Sequence, residues 1–115
     1  MIHGIVIHGD GLGRSYGYPT ANLDCIRKDV KFSSGVYAAW AFVNHKKYTS
    51  ALVIQHDPWK VEVYIIGFDG DLYGKYVEVD PVQKVSELEW FETTEEIIKK
   101  IDQDIVLVKE VLALK

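Results

Sequence analysis

A mainly β fold finished by one C-terminal helix is what this sequence predicts, and three observations carry it. Short runs of β-branched and aromatic residues, separated by Gly, Pro, Asn and Asp, fill positions 4–79. From Thr93 onward the apolar residues recur instead at three- and four-residue spacing. The chain has 115 residues, of which 48 % are apolar, enough for the core of one compact domain spanning 1–115. Antiparallel strands joined by short turns, with one terminal helix, make a small β-barrel.

The elements follow in order. "GIVIH" (4–8) is a short β-branched run. Residues 9–22 are punctuated by Gly11, Gly13, Gly17 and Pro19, which predicts no helix there. "VYAAWAFV" (36–43) is a strand, "NHKK" (44–47) a hairpin connection, and "YTSALVI" (48–54) the returning strand. "KVEVYIIGF" (60–68) is another strand; "DGD" (69–71) signals a sharp turn and "LYGKYVEV" (72–79) the return. Ile97, Ile101, Ile105, Val108 and Leu112 form one face of an amphipathic helix that would cover an open side of the sheet. Thr93 with Glu96 fits a capping box, and Glu95 and Glu96 suit the positive end of the helix dipole.

Composition narrows the function. A net charge of −4 argues against non-specific nucleic-acid binding, which needs a basic surface. A single cysteine, Cys25, cannot build a disulfide framework and points to a reducing cytoplasm; an ordinary half-buried thiol is the simpler reading of it. The N-terminus lacks the basic and long apolar segments of a signal peptide, and no run reaches the roughly 18 apolar residues of a membrane span. A monomer acting on small molecules, with no nucleic acid and no membrane, is the expectation.

The stretch "GLGRSYGYPTANLD" (11–24) is the candidate site. A Walker P-loop would need a Gly-Lys-Ser/Thr entry to a helix, and Pro19 stands in the way. A dinucleotide fingerprint would need its third glycine one residue earlier than Gly17. A glycine-lined phosphate loop on a β-scaffold is the third mechanism. Glycine lets backbone N–H groups approach an anion, and Arg14 adds a planar fork of charged donors. Thr20 and Asn22 lie two apart, so in extended chain both side chains take one face. Their neutral oxygens suit Mg²⁺ when phosphates carry the negative charge. Spacing alone leaves a solvated turn as the simpler reading.

A carboxylate is the second candidate. Along "KVEVYIIGF", Val61, Val63 and Ile65 take one face, and Glu62, Tyr64, Ile66 and Phe68 the other. Glu62 is then the one acid on an apolar and aromatic face, where a charge needs a partner or a task, unless its head reaches solvent at a strand edge. Asp69 and Asp71 flank Gly70 and read as turn formers. His3, His8, His45 and His56 lack ligand spacing for zinc. Tyr37, Trp40 and Tyr73 read as barrel packing.

"GIVIHGDGLGRSYGYPTANL" resembles the start of the riboflavin kinase (flavokinase) domain, which also forms the C-terminal half of bifunctional FAD synthetases. The pattern is carried by Gly4, Val6, Gly11, Gly13, Arg14, Gly17, Tyr18, Pro19, Thr20, Ala21 and Asn22, and continues in "SGVYAAW" (34–40), "VEVYIIGFDGDLYGKYVEV" (61–79) and "WFETTEEIIKKIDQDI" (90–105). The resemblance implies a six-stranded antiparallel Greek-key barrel with a C-terminal helix. It implies transfer of the γ-phosphoryl of ATP to the 5′-hydroxyl of riboflavin, giving FMN and ADP. Gly11, Gly13, Arg14, Gly17, Pro19, Thr20 and Asn22 would then bind nucleotide, and Thr20 and Asn22 would also hold Mg²⁺. Glu62 would be the catalytic base, and Trp90 and Phe91 would flank the flavin. Thr20, Asn22 and Glu62 should converge on a single cavity. Two departures stand out. The segment "VIQHDPWK" (53–60) is shorter than the family's, and Ser86 occupies the place of a family arginine, with Lys84 the nearest cation in sequence. They motivate the alternative, a catalytically silent barrel that binds a flavin or nucleotide. The start of the chain on the first strand leads us to expect no FAD synthesis.

Overall fold

The computed structural model describes residues 1–115. Six strands close into an antiparallel barrel: β1 (Ile2–Ile7), β2 (Ala21–Asp24), β3 (Gly35–Val43), β4 (Lys46–His56), β5 (Trp59–Ile65) and β6 (Tyr76–Ser86), in the spatial order β1-β2-β5-β4-β3-β6. The six-stranded barrel with its terminal helix is as expected.

Alternation along each strand sends one set of side chains inward. Val6, Leu23, Leu52, Ile54, Val61, Val63, Val77 and Val79 fill the interior, all at most 5 % exposed. Small residues at Ala39 and Ala41 alternate with them where β3 is paired on both sides. The β3–β4 hairpin turns at Asn44 and His45, both in the left-handed region (φ 50° and 66°), as a tight two-residue turn requires.

The helix α2 (Thr94–Ala113) begins at Thr93, whose hydroxyl oxygen accepts the Glu96 N–H at 3.2 Å. The Glu96 carboxylate accepts the Thr93 hydroxyl rather than a backbone N–H, so half of the expected capping box forms. Because the barrel is closed, no side of the sheet stands open for α2 to cover. Ile105, Val108 and Leu112 pack instead on its outer surface, against Ala38 and Ala51. Those two alanines let the helix approach closely. The N-terminal turns, with Ile97 and Ile101, overhang the barrel and roof a cleft. No helix of the chain is long and apolar enough to cross a membrane.

Several expectations are corrected. A single helical turn, α1 (Leu12–Ser15), does form inside the glycine-rich stretch. Asp10 Oδ1 accepts the Leu12 N–H at 3.0 Å, and left-handed Gly11 and Gly17 bound the turn on each side. The segment between the two glycines is just long enough for one turn. β2 was not expected as a strand, since four residues beside a proline carry little periodic signal. β5 stops at Ile65, and Gly67 (φ 80°) turns the chain so that Phe68 packs edge-on against Tyr48 at the interior rather than on the Glu62 face. Residues 69–79 do not return as a hairpin on β5: β6 starts at Tyr76 and pairs with β1 and β3. It runs on past Pro81, where the ladder with β3 shifts register, a position that tolerates a missing N–H. β1 begins earlier than expected because Ile2 pairs with Val79.

Candidate functional site

β2 and β5 lie side by side with Ala21 opposite Val63 and Asn22 opposite Glu62. Because Ala21, Leu23, Val61 and Val63 point into the barrel, Asn22 and Glu62 point out together. Thr20, just before β2, shares that outer face. Its hydroxyl donates to Glu62 Oε2 at 2.6 Å. The Glu62 side chain is 14 % exposed, so the carboxylate is largely withdrawn from water and held by named partners. On the same face of β5, Lys60 places Nζ 2.8 Å from Glu62 Oε1 and 2.7 Å from Asp10 Oδ2.

The glycine-rich loop lies over these residues. A Cβ on Gly13 would come within 2.5 Å of the Tyr18 carbonyl oxygen and 3.1 Å of Thr20 Oγ1, so glycine is needed for that approach. A Cβ on Gly9 would come within 2.1 Å of Asn22 Nδ2. The far end of the loop is fastened to α2: the Tyr18 hydroxyl donates to Asp102, and its ring packs edge-on against Tyr64. The bond to Asp102, helped by burial, pushes the Tyr18 phenol up to about 12, so it remains a neutral donor.

Two clefts meet at this point. One, of about 860 Å³, is lined by Gly9, Gly11, Arg14, Pro19, Thr20 and Asn22 on one side, with the 68–73 loop opposite. The other, of about 300 Å³, lies under α2, and Glu62, Tyr18, Trp90, Phe91 and Lys100 are among its walls. Thr20 and Tyr64 belong to both. Thr20, Asn22 and Glu62 thus share one outer face, which the two clefts divide between them. Asn22 and Glu62 line adjoining clefts, and Thr20 stands at the junction. The reason is the loop itself, whose Asp10–Gly13 segment lies between the two spaces.

The remaining candidates are distributed accordingly. Gly13 lines the second cleft, while Gly17 lines neither and serves the turn. Trp90 is 81 % exposed at the mouth of the second cleft. Asp71 forms the expected turn, accepting the Tyr73 N–H at 2.9 Å. Tyr37 is interior, but Trp40 lies on the outer surface under Lys47, and Tyr73 stacks on His8 at the rim of the first cleft, 3.8 Å between centroids. Cys25 is half-buried and its thiol is pushed up to about 11, by burial and then by the nearby Asp24 charge.

Sequence reasoning missed Asp10, Lys60, Lys100 and Asp104. Lys60 was within reach, since it shares the face of Glu62 two residues on. The others depend on contacts distant in sequence. Lys100 Nζ lies 2.5 Å from Asp104 Oδ2 and 2.9 Å from Ser86 Oγ, and Ser86 donates to Asp104 Oδ1 at 2.7 Å. The cation beside Ser86 therefore comes from α2, while Lys84 pairs with Glu87 at 2.7 Å.

The chain gathers no cluster of three or more His, Cys, Asp or Glu side chains that could hold a metal. Thr20 and Asn22 offer hard neutral oxygens, and the Thr20 hydroxyl, donating to Glu62, keeps its lone pairs free. Such a set suits Mg²⁺ that arrives with phosphates.

Comparison with known proteins gives a consistent picture. A model of the riboflavin kinase (flavokinase) family matches residues 1–112. The chain is 34 % identical over 120 residues to a bifunctional riboflavin kinase/FMN adenylyltransferase of Buchnera aphidicola, covering 95 % of this chain and 37 % of that protein. It is 33 % identical to the RNA-binding riboflavin kinase RibR of Bacillus subtilis, covering 91 % of this chain and 48 % of that one. The chain thus spans less than half the length of these relatives. Among solved structures, a riboflavin kinase from Trypanosoma brucei superposes with a TM-score of 0.77 at 22 % identity, over 97 % of this chain and 78 % of that one, a likeness of fold. A structure described as a macrolide-efflux protein from Streptococcus pneumoniae superposes at 0.85 with 26 % identity, over 94 % of this chain and 38 % of that one.

Proposed function

The chain belongs to the riboflavin kinase family, and from that premise we propose that it transfers the γ-phosphoryl of ATP to the 5′-hydroxyl of riboflavin, giving FMN and ADP. The observation that carries the reading is Thr20 at the junction of two clefts, hydrogen-bonded to Glu62. A phosphoryl transfer between two substrates needs two binding spaces that meet at one reacting point.

The larger cleft takes the nucleotide. Glycine backbone groups and Arg14 approach its phosphates, and Thr20 and Asn22 would hold the Mg²⁺ that travels with them. When bound, that ion offsets the charge of the β- and γ-phosphates. The smaller cleft takes the flavin. Tyr18, Tyr64, Trp90 and Phe91 offer aromatic surface there, and Trp90 stands ready at the mouth. Glu62 faces this space. Its carboxylate orients the 5′-hydroxyl and accepts its proton as the hydroxyl oxygen bonds to the γ-phosphorus and ADP departs. Withdrawal of Glu62 from water favours this role, since fewer waters compete for the proton.

Residues 1–115 act in this reading as one domain, a cytoplasmic monomer that works on small molecules without a nucleic-acid partner, in keeping with the acidic charge balance. Lys100 of α2 brings a cation beside Ser86, but that charge is already paired with Asp104, so the choice between active enzyme and silent barrel rests on the assay. The test is incubation of the purified chain with riboflavin, ATP and Mg²⁺, with chromatography of the flavins. FMN is expected; riboflavin bound but unconverted would favour the silent barrel.

A further inference from the structure

Four polar contacts form one continuous run from the glycine-rich loop to Thr20. The Leu12 N–H donates to Asp10 Oδ1 at 3.0 Å, Lys60 Nζ reaches Asp10 Oδ2 at 2.7 Å and Glu62 Oε1 at 2.8 Å, and Thr20 donates to Glu62 Oε2 at 2.6 Å. Close packing of Gly13 on Thr20 closes the ring. Lys60 is its central member and the one positive charge between two carboxylates. Its side chain is only 28 % exposed. The Lys60–Glu62 pair is the more withdrawn of the two and the less screened by salt, while Asp10 is 43 % exposed.

We propose that Lys60 is a positioning residue of the transfer reaction, whose ammonium ties the Glu62 carboxylate to the Asp10 end of the phosphate loop. This rests on the kinase reading for its catalytic half. One contact fixes Oε1, so Oε2 is left to Thr20 and to the incoming hydroxyl. The other draws the start of α1 down against β5: Asp10, Leu12, Gly13 and Lys60 line the smaller cleft, while Gly11 and Arg14 of the same loop line the larger. Lys60 also cancels one of two carboxylate charges that would otherwise meet a polyphosphate. Loss of the cation therefore disturbs the base and the loop between the two clefts together, including the side of the flavin cleft that Lys60 and Asp10 line.

The experiment compares Lys60→Met and Lys60→Arg with the unmodified chain. For Lys60→Met we expect kcat to fall by about tenfold or more and the KM for riboflavin and for ATP each to rise several-fold, since Lys60 lines the flavin cleft and tethers the loop that borders both clefts. Lys60→Arg keeps the charge and should recover part of both. A merely structural role would lower the active fraction and leave both KM values where they are. Hydrogen exchange of the 11–17 amides supplies a readout that does not need activity. They should exchange about tenfold faster in Lys60→Met while the barrel strands keep their protection. Should the unmodified chain make no FMN, the kinase reading fails, and the exchange measurement still decides whether Lys60 tethers the loop. Kinetic constants within twofold of the unmodified chain, or unchanged loop exchange, would overturn the proposal.

Discussion

The Thr20 hydroxyl donates to the Glu62 carboxylate at 2.6 Å across a separation of 42 residues. The bond joins the end of the glycine-rich loop to the outward face of β5. It exists because two independent alternations coincide. Ala21 and Leu23 turn inward on β2, Val61 and Val63 on β5, and the register sets Asn22 against Glu62. A shift of either strand by one residue would turn its own polar side chain, Asn22 or Glu62, into the barrel and break the site.

Gly9→Ala tests the loop's fit over Asn22. The new Cβ would meet the Asn22 amide at 2.1 Å and push it aside. The displaced atom is the end of a flexible side chain, so the fold should survive with little change in Tm. The rate of FMN formation should fall by about tenfold, with higher Mg²⁺ giving partial recovery. Normal turnover would show that Asn22 has no part in donor binding.

Cys25 should be a slow nucleophile. With its thiol held near 11, the thiolate fraction at pH 8 is about a hundredfold below that of an ordinary cysteine at 9.0. Alkylation by iodoacetamide in native buffer should be slow in proportion and should become fast in denaturant. Rapid native labelling would contradict the burial assigned to this side chain.

Lys100→Met should cost about 3 kcal/mol of stability, measured by urea unfolding, because it strands the largely buried Asp104 carboxylate. The double change Lys100→Met/Asp104→Leu should cost less than the single one. If the two effects simply add, the pair does not act as a unit in anchoring α2.

Asp10→Asn should destabilise in a pH-dependent way. The hydrogen bond from Lys60, with the Leu12 N–H, holds the Asp10 carboxyl below its ordinary 3.8, so its stabilisation is present above that value and lost as pH falls through the depressed one. Burial works against the Lys60 charge, yet its bonds to Asp10 and Glu62 raise it above 10.5, so that contribution persists through neutral pH and is lost only as pH rises past the raised value. The Tm difference between Asp10→Asn and the unmodified chain should be about 1–4 °C near pH 7, as expected for a partly exposed pair, and should shrink toward about pH 2. A difference that grows in acid would contradict the assignment.

Much of this molecule is legible in its sequence, for identifiable reasons. β3, β4 and α2 have long periodic patterns, and their positions follow from them. β2 is four residues long and hidden beside a proline, so only its pairing with β1 and β5 defines it. The final β strand escaped its expected partner because turn residues at 69–71 predict reversal but not destination. In the site, Thr20, Asn22 and Glu62 were reachable from alternation and motif. Asp10 was not, because its tie to Lys60 spans 50 residues. The division into two clefts was equally hidden, since it depends on where the loop folds back over the barrel.

The most direct test of the central claim is FMN formation by the unmodified chain and by Glu62→Gln, with riboflavin, ATP and Mg²⁺ at saturation. Glutamine keeps the size and accepts the Thr20 hydrogen bond, but it cannot take up the hydroxyl proton. The account predicts FMN from the unmodified chain and a rate at least about a hundredfold lower from a folded Glu62→Gln. Equal rates from the two proteins would contradict it.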